Sequence, residues 1–253
     1  MAKISVVGIG AGSLDEMTPR ARRAIESAEV VAGYNTYIKL IEPLTVGKKI
    51  IGRAMMQEVE RCQLAVEETL NGRNVVVVSS GDAGIYGMAG LVVEMILDLP
   101  DDTRPQFEIV AGISAVNAAA AILGAPLMHD FAVVSLSDLM TPWDLIRKRI
   151  RCAGEGDFVI ALYNPKSKRR VTQLDEVQRI LLDLRKPTTP VGIVTNAGRD
   201  GQTKIISTLE NFTREEVNMF SLVLIGNSQT FVKSGFMITP RGYKLDGGKS
   251  SCD

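Results

Sequence analysis

Eight short apolar runs, rich in Val and Ile, recur along the chain: "ISVVGI" (4–9), "EVVAG" (29–33), "NVVVVSS" (74–80), "FEIVAG" (107–112), "AVVSLS" (132–137), "FVIALY" (158–163), "VGIVT" (191–195) and "SLVLIG" (221–226). Their length and β-branched content predict buried strands. Between several of them, apolar residues fall at helical spacing: Val59, Cys62, Val66 and Leu70; Ile85, Met88, Val92, Met95 and Leu99; Leu174, Val177, Leu181 and Leu184. Strands alternating with helices predict an α/β fold whose sheets are mostly parallel and covered on both faces.

Thr18-Pro19 supplies a cap followed by a first-turn proline, which predicts a helix over about residues 18–28. Pro142 and Trp143 predict a further helix start, with the indole in the core, and Tyr86, Met88 and the other methionines are expected as packing. The segment "LGAPLMHD" (123–130) breaks the periodicity with Gly and Pro and sets the expected boundary between two α/β domains, 1–123 and 124–245. Residues 246–253, "DGGKSSCD", read as a disordered tail.

The chain's 253 residues, 45% hydrophobic, suffice for one large or two small domains. Its 29 acidic and 29 basic side chains cancel, so no global field holds nucleic acid, and an anionic ligand must meet a local cluster. Cys62, Cys152 and Cys252 have no metal-site spacing, which predicts neither a disulfide framework nor a protein-bound metal. Without a leader pattern or an apolar run of about 18 residues, the expectation is a cytoplasmic protein with neither a membrane nor a nucleic-acid partner.

Four strands end in loops rich in Gly, Asn, Asp or Ser: "SSGDAGIYG" (79–87), "AGISAVN" (111–117), "YNPKSKRR" (163–170) and "TNAGRDGQ" (195–202). Ligands of open parallel sheets sit beyond the carboxyl ends of strands, so a cleft between the two domains is the expected site. "GIGAG" (8–12) resembles a dinucleotide-binding turn, but that motif needs a helix directly after the glycines and an acid about 20 residues on. Here the helix start is at Thr18 and the second strand ends in Ala32-Gly33-Tyr34. A dinucleotide-dependent oxidoreductase is therefore the disfavoured alternative.

The stretches "VVGIGAGSLDEMTPRARRAI", "SSGDAGIYGMAG", "VAGISAVNAAAAILGAPLMHDF" and "MITPRGY" (237–243), in this order, resemble the tetrapyrrole methylases over about residues 3–245. "SLSDLMTPWDLIRKRI" (135–150) and "FVIALYNPKSKRR" (158–170) look like the members that methylate carbon 17 of a corrin precursor and contract its ring. The resemblance implies the class III methyltransferase fold, a homodimer, and S-adenosylmethionine bound between the domains, leaving as S-adenosylhomocysteine. Any cobalt would arrive inside an anionic tetrapyrrole substrate. Ala11, Ala83 and Ala111 depart from the family, where proline is frequent. A methylase of this fold acting on another ring carbon, on ribosomal RNA or on protein remains the other alternative.

Carried over from the family, Ser80, Gly81, Asp82, Ile85, Ser114, Ala115, Tyr163, Asn164 and Ala197 are the expected cofactor contacts. The common structural use of Asp82 and Ser114 is capping a helix, and both uses are compatible. Gly10, Ala11 and Gly12 are expected to line the substrate trough. Lys166, Lys168, Arg169 and Arg170 form the densest basic cluster, suited to the acetate and propionate groups of a corrin precursor; a solvated loop is the ordinary alternative. His129, the sole histidine, with Asp130, is the candidate pair for the proton transfers of ring contraction.

Overall fold

The computed structural model describes residues 2–53 and 57–243. The expected tail, with Cys252, lies outside the described residues. The chain divides into two compact units, Met1–Ala118 and Ala119–Asp253.

The first unit alternates strands and helices: β1 (Lys3–Gly8), α1 (Pro19–Ser27), β2 (Val30–Tyr34), α2 (Asn35–Leu40), β3 (Lys49–Arg53), α3 (Glu58–Leu70), β4 (Val75–Ser79), α4 (Ala89–Leu97), β5 (Gln106–Val110) and the start of α5 (Ala115–Leu123). Its sheet has the order β3-β2-β4-β1-β5, and every pairing is parallel. Period-2 alternation explains the unbroken apolar runs. Ile4, Val6, Val30, Ala32, Val75 and Val77 join one core with Cys62, Ala65 and Ile96 from α3 and α4. Val7, Val31, Val76 and Val78 join another with Ala21 and Ile25 of α1. Thr18 caps α1 as expected, its Oγ1 accepting the Ala21 N–H at 3.1 Å.

The chain leaves β1 towards β2, then crosses back over β1 in passing from β4 to β5. That reversal falls at the carboxyl ends of β4, β1 and β5, the place where α/β sheets receive ligands.

The second unit follows with β6 (Gly124–Ala125), β7 (Phe131–Ser135), α6 (Trp143–Glu155), β8 (Val159–Tyr163), α7 (Gln173–Leu182), β9 (Pro190–Thr195), β10 (Thr203–Thr208), β11 (Ser221–Ile225), β12 (Phe231–Lys233) and β13 (Phe236–Ile238). Its larger sheet, β10-β9-β11-β8-β7, is mixed: β7 and β8 are parallel, whereas β11 runs antiparallel to both β8 and β9. The helical crossover through α7 makes β8 and β9 run the same way, as a parallel connection must. The later strand β11 then inserts between them in the opposite sense. Parallel pairings still outnumber antiparallel ones among the described residues.

Helices α6 and α7 pack Ile146, Ile150, Val177 and Leu181 on this sheet around fully buried Phe212. Trp143 opens α6 as expected, packs on that core and donates from Nε1 to Glu176 Oε2 at 2.7 Å. A small sheet, β12-β13-β6, brings the segment after β11 back beside the end of α5.

One polar cluster ties the edge strand β5 into the first sheet. Ser5 lies opposite Glu108 in register and donates to it at 2.9 Å, while Lys3 Nζ and Arg20 Nη2 sit 2.6 and 3.0 Å from the same carboxylate. Burial opposes the charge of Glu108, but the hydrogen bonds from Lys3, Arg20 and Ser5 outweigh it and hold the group at about 2, below its ordinary 4.5. A depressed carboxylate stabilises the fold above its unfolded-state value and loses that contribution as pH falls towards 2. Glu108→Gln is therefore expected to cost about 2 kcal/mol at pH 7, after allowance for partial solvent screening, and about nothing at pH 2. Urea unfolding at the two pH values checks this, and an equal cost at both would refute the ion-pair account.

Candidate active site

Three loops leave the carboxyl ends of β1, β4 and β5 in the first unit; backbone bonds join the first two, and the Asp82 side chain ties in the third. Ile9 N–H donates to Ser79 O at 2.9 Å, Gly10 N–H to Gly81 O at 3.1 Å, and Gly81 N–H to Gly10 O at 2.8 Å. Both glycines of this bridge have positive φ, 84° and 67°. A methyl group on Gly8 would come within 2.6 Å of Gly81 O and 2.8 Å of Gly112 N, backbone atoms that cannot rotate away. Gly8 thus serves the contact of chain with chain, and Gly10 and Ala11 are buried while Gly12 is half-buried.

Asp82, half-buried between these loops, uses both carboxylate oxygens: Oδ1 accepts the Gly84 N–H at 2.8 Å and Oδ2 the Gly112 N–H at 3.1 Å. It caps no α-helix. The helix spacing read from Ile85 onward starts late, because Asp82 Oδ1 folds Gly84 into a turn and Ala89 N–H reaches back to Ala83 O. Helix α4 therefore begins at Ala89, with Met88 N–H donating to Ser79 Oγ. Met88 packs on the core as expected. Tyr86 does not: it is 54% exposed at φ 54°, and Ile85 beside it is also exposed; Met128, Met140 and Met219 are likewise exposed, contrary to the expectation that the methionines pack. Ser114 begins α5, its carbonyl accepting the Ala118 N–H and its Oγ the Asn117 N–H at 3.4 Å; Ala115 is half-buried in the first turn. Ser80 is half-buried next to Gly81.

In the second unit, half-buried Tyr163 ends β8 and its carbonyl accepts the Leu136 N–H at 2.9 Å. Asn164 turns the chain at φ 51° and donates from Nδ2 to Ser135 Oγ at 2.9 Å. The basic run divides. Lys168 and Arg169 are exposed and Lys166 is half-exposed, whereas Arg170 is buried and donates to Asn164 O at 2.8 Å. Burial lowers the Arg170 pKa from its ordinary value and the Asp138 charge opposes that shift, so Arg170 holds its own loop while its neighbours face outward.

Ala197 is half-buried in a turn where Gly198 N–H donates to Gln202 Oε1 at 2.8 Å. His129 is exposed; its Nδ1 accepts the Asp130 N–H at 2.9 Å and lies 3.6 Å from Asp130 Oδ2. In the neutral ring that leaves the proton on Nε2. Among the described residues, no cluster of three or more His, Cys, Asp or Glu is arranged to hold a metal.

The sequence profile of the tetrapyrrole (corrin/porphyrin) methylases matches residues 3–213. The chain belongs to that family. It is 49% identical over 242 residues to the probable cobalt-factor III C(17)-methyltransferase of Salmonella typhimurium, covering 96% of this chain and 100% of that one. It is 48% identical over 244 residues to the cobalt-factor III methyltransferase of Priestia megaterium, of whose length it spans 45%. The crystal structure of the methyltransferase CobJ superposes with a TM-score of 0.90 at 35% identity, covering 95% of this chain and all of that one.

Two features of this methylase escaped the sequence. Asp138, near Arg170, follows a strand in an ordinary polar loop, and nothing in its spacing marked it. The use of Asp82 as a tie between the β4 and β5 loops needed the sheet order, which sets Gly112 beside it. Asp82→Ala would leave the Gly84 and Gly112 amides without their acceptor, at a cost of about 1–3 kcal/mol. Thermal unfolding and amide exchange at Gly112 should both report the loss; unchanged exchange there would contradict the tie.

Proposed function

We propose that this methylase transfers the methyl group of S-adenosylmethionine to carbon 17 of a corrin precursor, cobalt-factor III or precorrin-3B, in cobalamin biosynthesis, with contraction of the ring. The end-to-end match to the Salmonella protein at 49% identity carries the reading. In the first unit, Ser80, Gly81, Asp82, Ile85, Ser114 and Ala115 are the proposed cofactor contacts, and in the second unit Tyr163, Asn164 and Ala197.

The donor set suits such a ligand. Each Asp82 oxygen accepts one backbone N–H and keeps lone pairs for another donor, and its negative charge favours a cationic ligand. When bound, S-adenosylmethionine supplies an electrophilic methyl on a sulfonium. The chain's part is alignment and exclusion of water; holding donor and acceptor in register can supply about 7–11 kcal/mol. Loops braced by backbone bonds, as at Gly10 and Gly81, suit that role because they move little when loaded.

Gly10, Ala11 and Gly12 are the proposed first-unit substrate contacts. They are largely buried, so substrate would meet the rim and backbone of that loop. Lys166, Lys168 and Arg169 are proposed for the peripheral carboxylates, with Arg170 ordering their loop. His129 and Asp130 are the proposed proton-transfer pair for contraction: exposed Nε2 carries a proton it can give, and the Asp130 carboxylate lies beside the ring. We also propose a cytoplasmic homodimer with no resident metal, any cobalt entering as part of the substrate.

Calorimetry should detect S-adenosylhomocysteine binding tighter than ~100 μM, about −5.5 kcal/mol. Incubation with S-adenosylmethionine and cobalt-factor III or precorrin-3B should add one methyl group by mass, located at carbon 17 by NMR. Methylation at another carbon would sink the specificity. His129→Ala is expected to methylate at the normal rate and to slow contraction about 100-fold, the usual scale for losing a general acid or base; contraction at full speed would remove His129 from the mechanism.

A further inference from the structure

Two buried arginines of the second unit, Arg170 and Arg185, have an Nε without a hydrogen-bond partner among the described residues, and Arg170 lies in the basic loop after β8. Arg170 is 7% exposed; its Nη1 donates to Asn164 O at 2.8 Å, while its Nε has no hydrogen-bond partner among the described residues and lies 3.8 Å from Asp138 Oδ1. Asp138 also accepts from Gln173 Nε2 at 3.2 Å. The loop after β8 and the segment after β7 are thus latched together. Asn164 Nδ2 on Ser135 Oγ and Leu136 N–H on Tyr163 O tie their roots.

Each latched segment carries unpaired-looking chemistry for a soluble surface. Next to Asp138 stand Leu139, 65% exposed, and Met140, 94% exposed. On either side of Arg170 stand Arg169 and Val171, the latter 57% exposed, with Lys168 one residue further. Because Arg170 and Asp138 fix the two segments to each other, the apolar pair and the cations are brought into one region. A protein surface gains nothing in water from two large apolar side chains so exposed. Next to free cations, they complement a ligand with a flat apolar face and an anionic rim.

We propose that residues 138–141 and 166–171, latched by Arg170 and Asp138, form a substrate-recognition element: Leu139 and Met140 lie on the face of the macrocycle, and Lys168 and Arg169 pair with its peripheral carboxylates. The inference rests on the tetrapyrrole reading above and deepens it. Arg170 is a positioning residue here, and its buried Nε completes its bonding when the Asp138 segment closes by less than about 1 Å, to ordinary hydrogen-bond length.

The test is absorbance titration of cobalt-factor III into the full chain, with S-adenosylhomocysteine calorimetry on the same samples. Met140, Lys168 and Arg169 are exposed, so Leu139→Ser/Met140→Ser and Lys168→Glu/Arg169→Glu should fold as the parent does. Each pair is expected to weaken macrocycle binding about tenfold or more, with S-adenosylhomocysteine affinity unchanged. The charge-reversal pair should also flatten the salt dependence of binding. Arg170→Met should raise KM with little change in kcat, and Arg170→Lys should restore part of the loss. Parent-like macrocycle binding in both surface variants overturns the element. No macrocycle binding by the parent chain, with S-adenosylhomocysteine still bound, overturns the tetrapyrrole reading and the element with it.

Discussion

The approach of three backbones at Gly8, Gly81 and Gly112 is the constraint on which the first unit's architecture at the carboxyl ends of β1, β4 and β5 depends. A Cβ at Gly8 would overlap the neighbouring loops, so β1, β4 and β5 can end side by side only with glycine there. The reciprocal bonds between Gly10 and Gly81, and the two amides held by Asp82, then convert three strand exits into one braced surface. Inter-loop hydrogen bonds brace this surface, and Ala11 and Ala83 are buried beside them. Preorganisation of this kind suits methyl transfer, where alignment does most of the work.

The second unit solves a related problem with side chains in place of glycines. Its sheet is mixed, and the segment after β7 and the loop after β8 are joined by a buried guanidinium bonded to one carbonyl and facing one carboxylate. A buried arginine is tolerable only where its donors find acceptors. Arg185, elsewhere in the same unit, donates from its two terminal nitrogens to the carbonyls of Gly226, Phe158 and Ala153, while its Nε has no hydrogen-bond partner among the described residues. Arg170 donates to one carbonyl, that of Asn164, and its Nε faces the Asp138 carboxylate at 3.8 Å.

Much was legible in the residues. All eight apolar runs are strands, and six are buried as expected, because a strand covered on both faces is apolar at every position; β5 and β7 lie at sheet edges and are partly exposed, contrary to that expectation. Thr18 and Trp143 announced their helices through capping and proline chemistry that acts over three or four residues. The strands β3 and β10 went unread: both lie at sheet edges, where one side meets solvent and mixed residues suffice. The hairpin of β12 and β13 did carry a local signal, Ser234-Gly235, both at positive φ as a tight two-residue turn requires. Family motifs, read in order, pointed to the methylase reading more directly than any single residue did.

The sequence by itself determined the alternation of strand and helix, the parallel first sheet and the membership in a methylase family, because these follow from periodicity and from long runs of matching residues. Tertiary structure alone decided that Asp82 ties two loops, that Arg170 turns inward while Arg169 turns out, and that β11 slips antiparallel between β8 and β9. Each of those depends on which strand lies next to which, and strand order is fixed by packing between residues 30 or more positions apart, beyond the reach of local spacing.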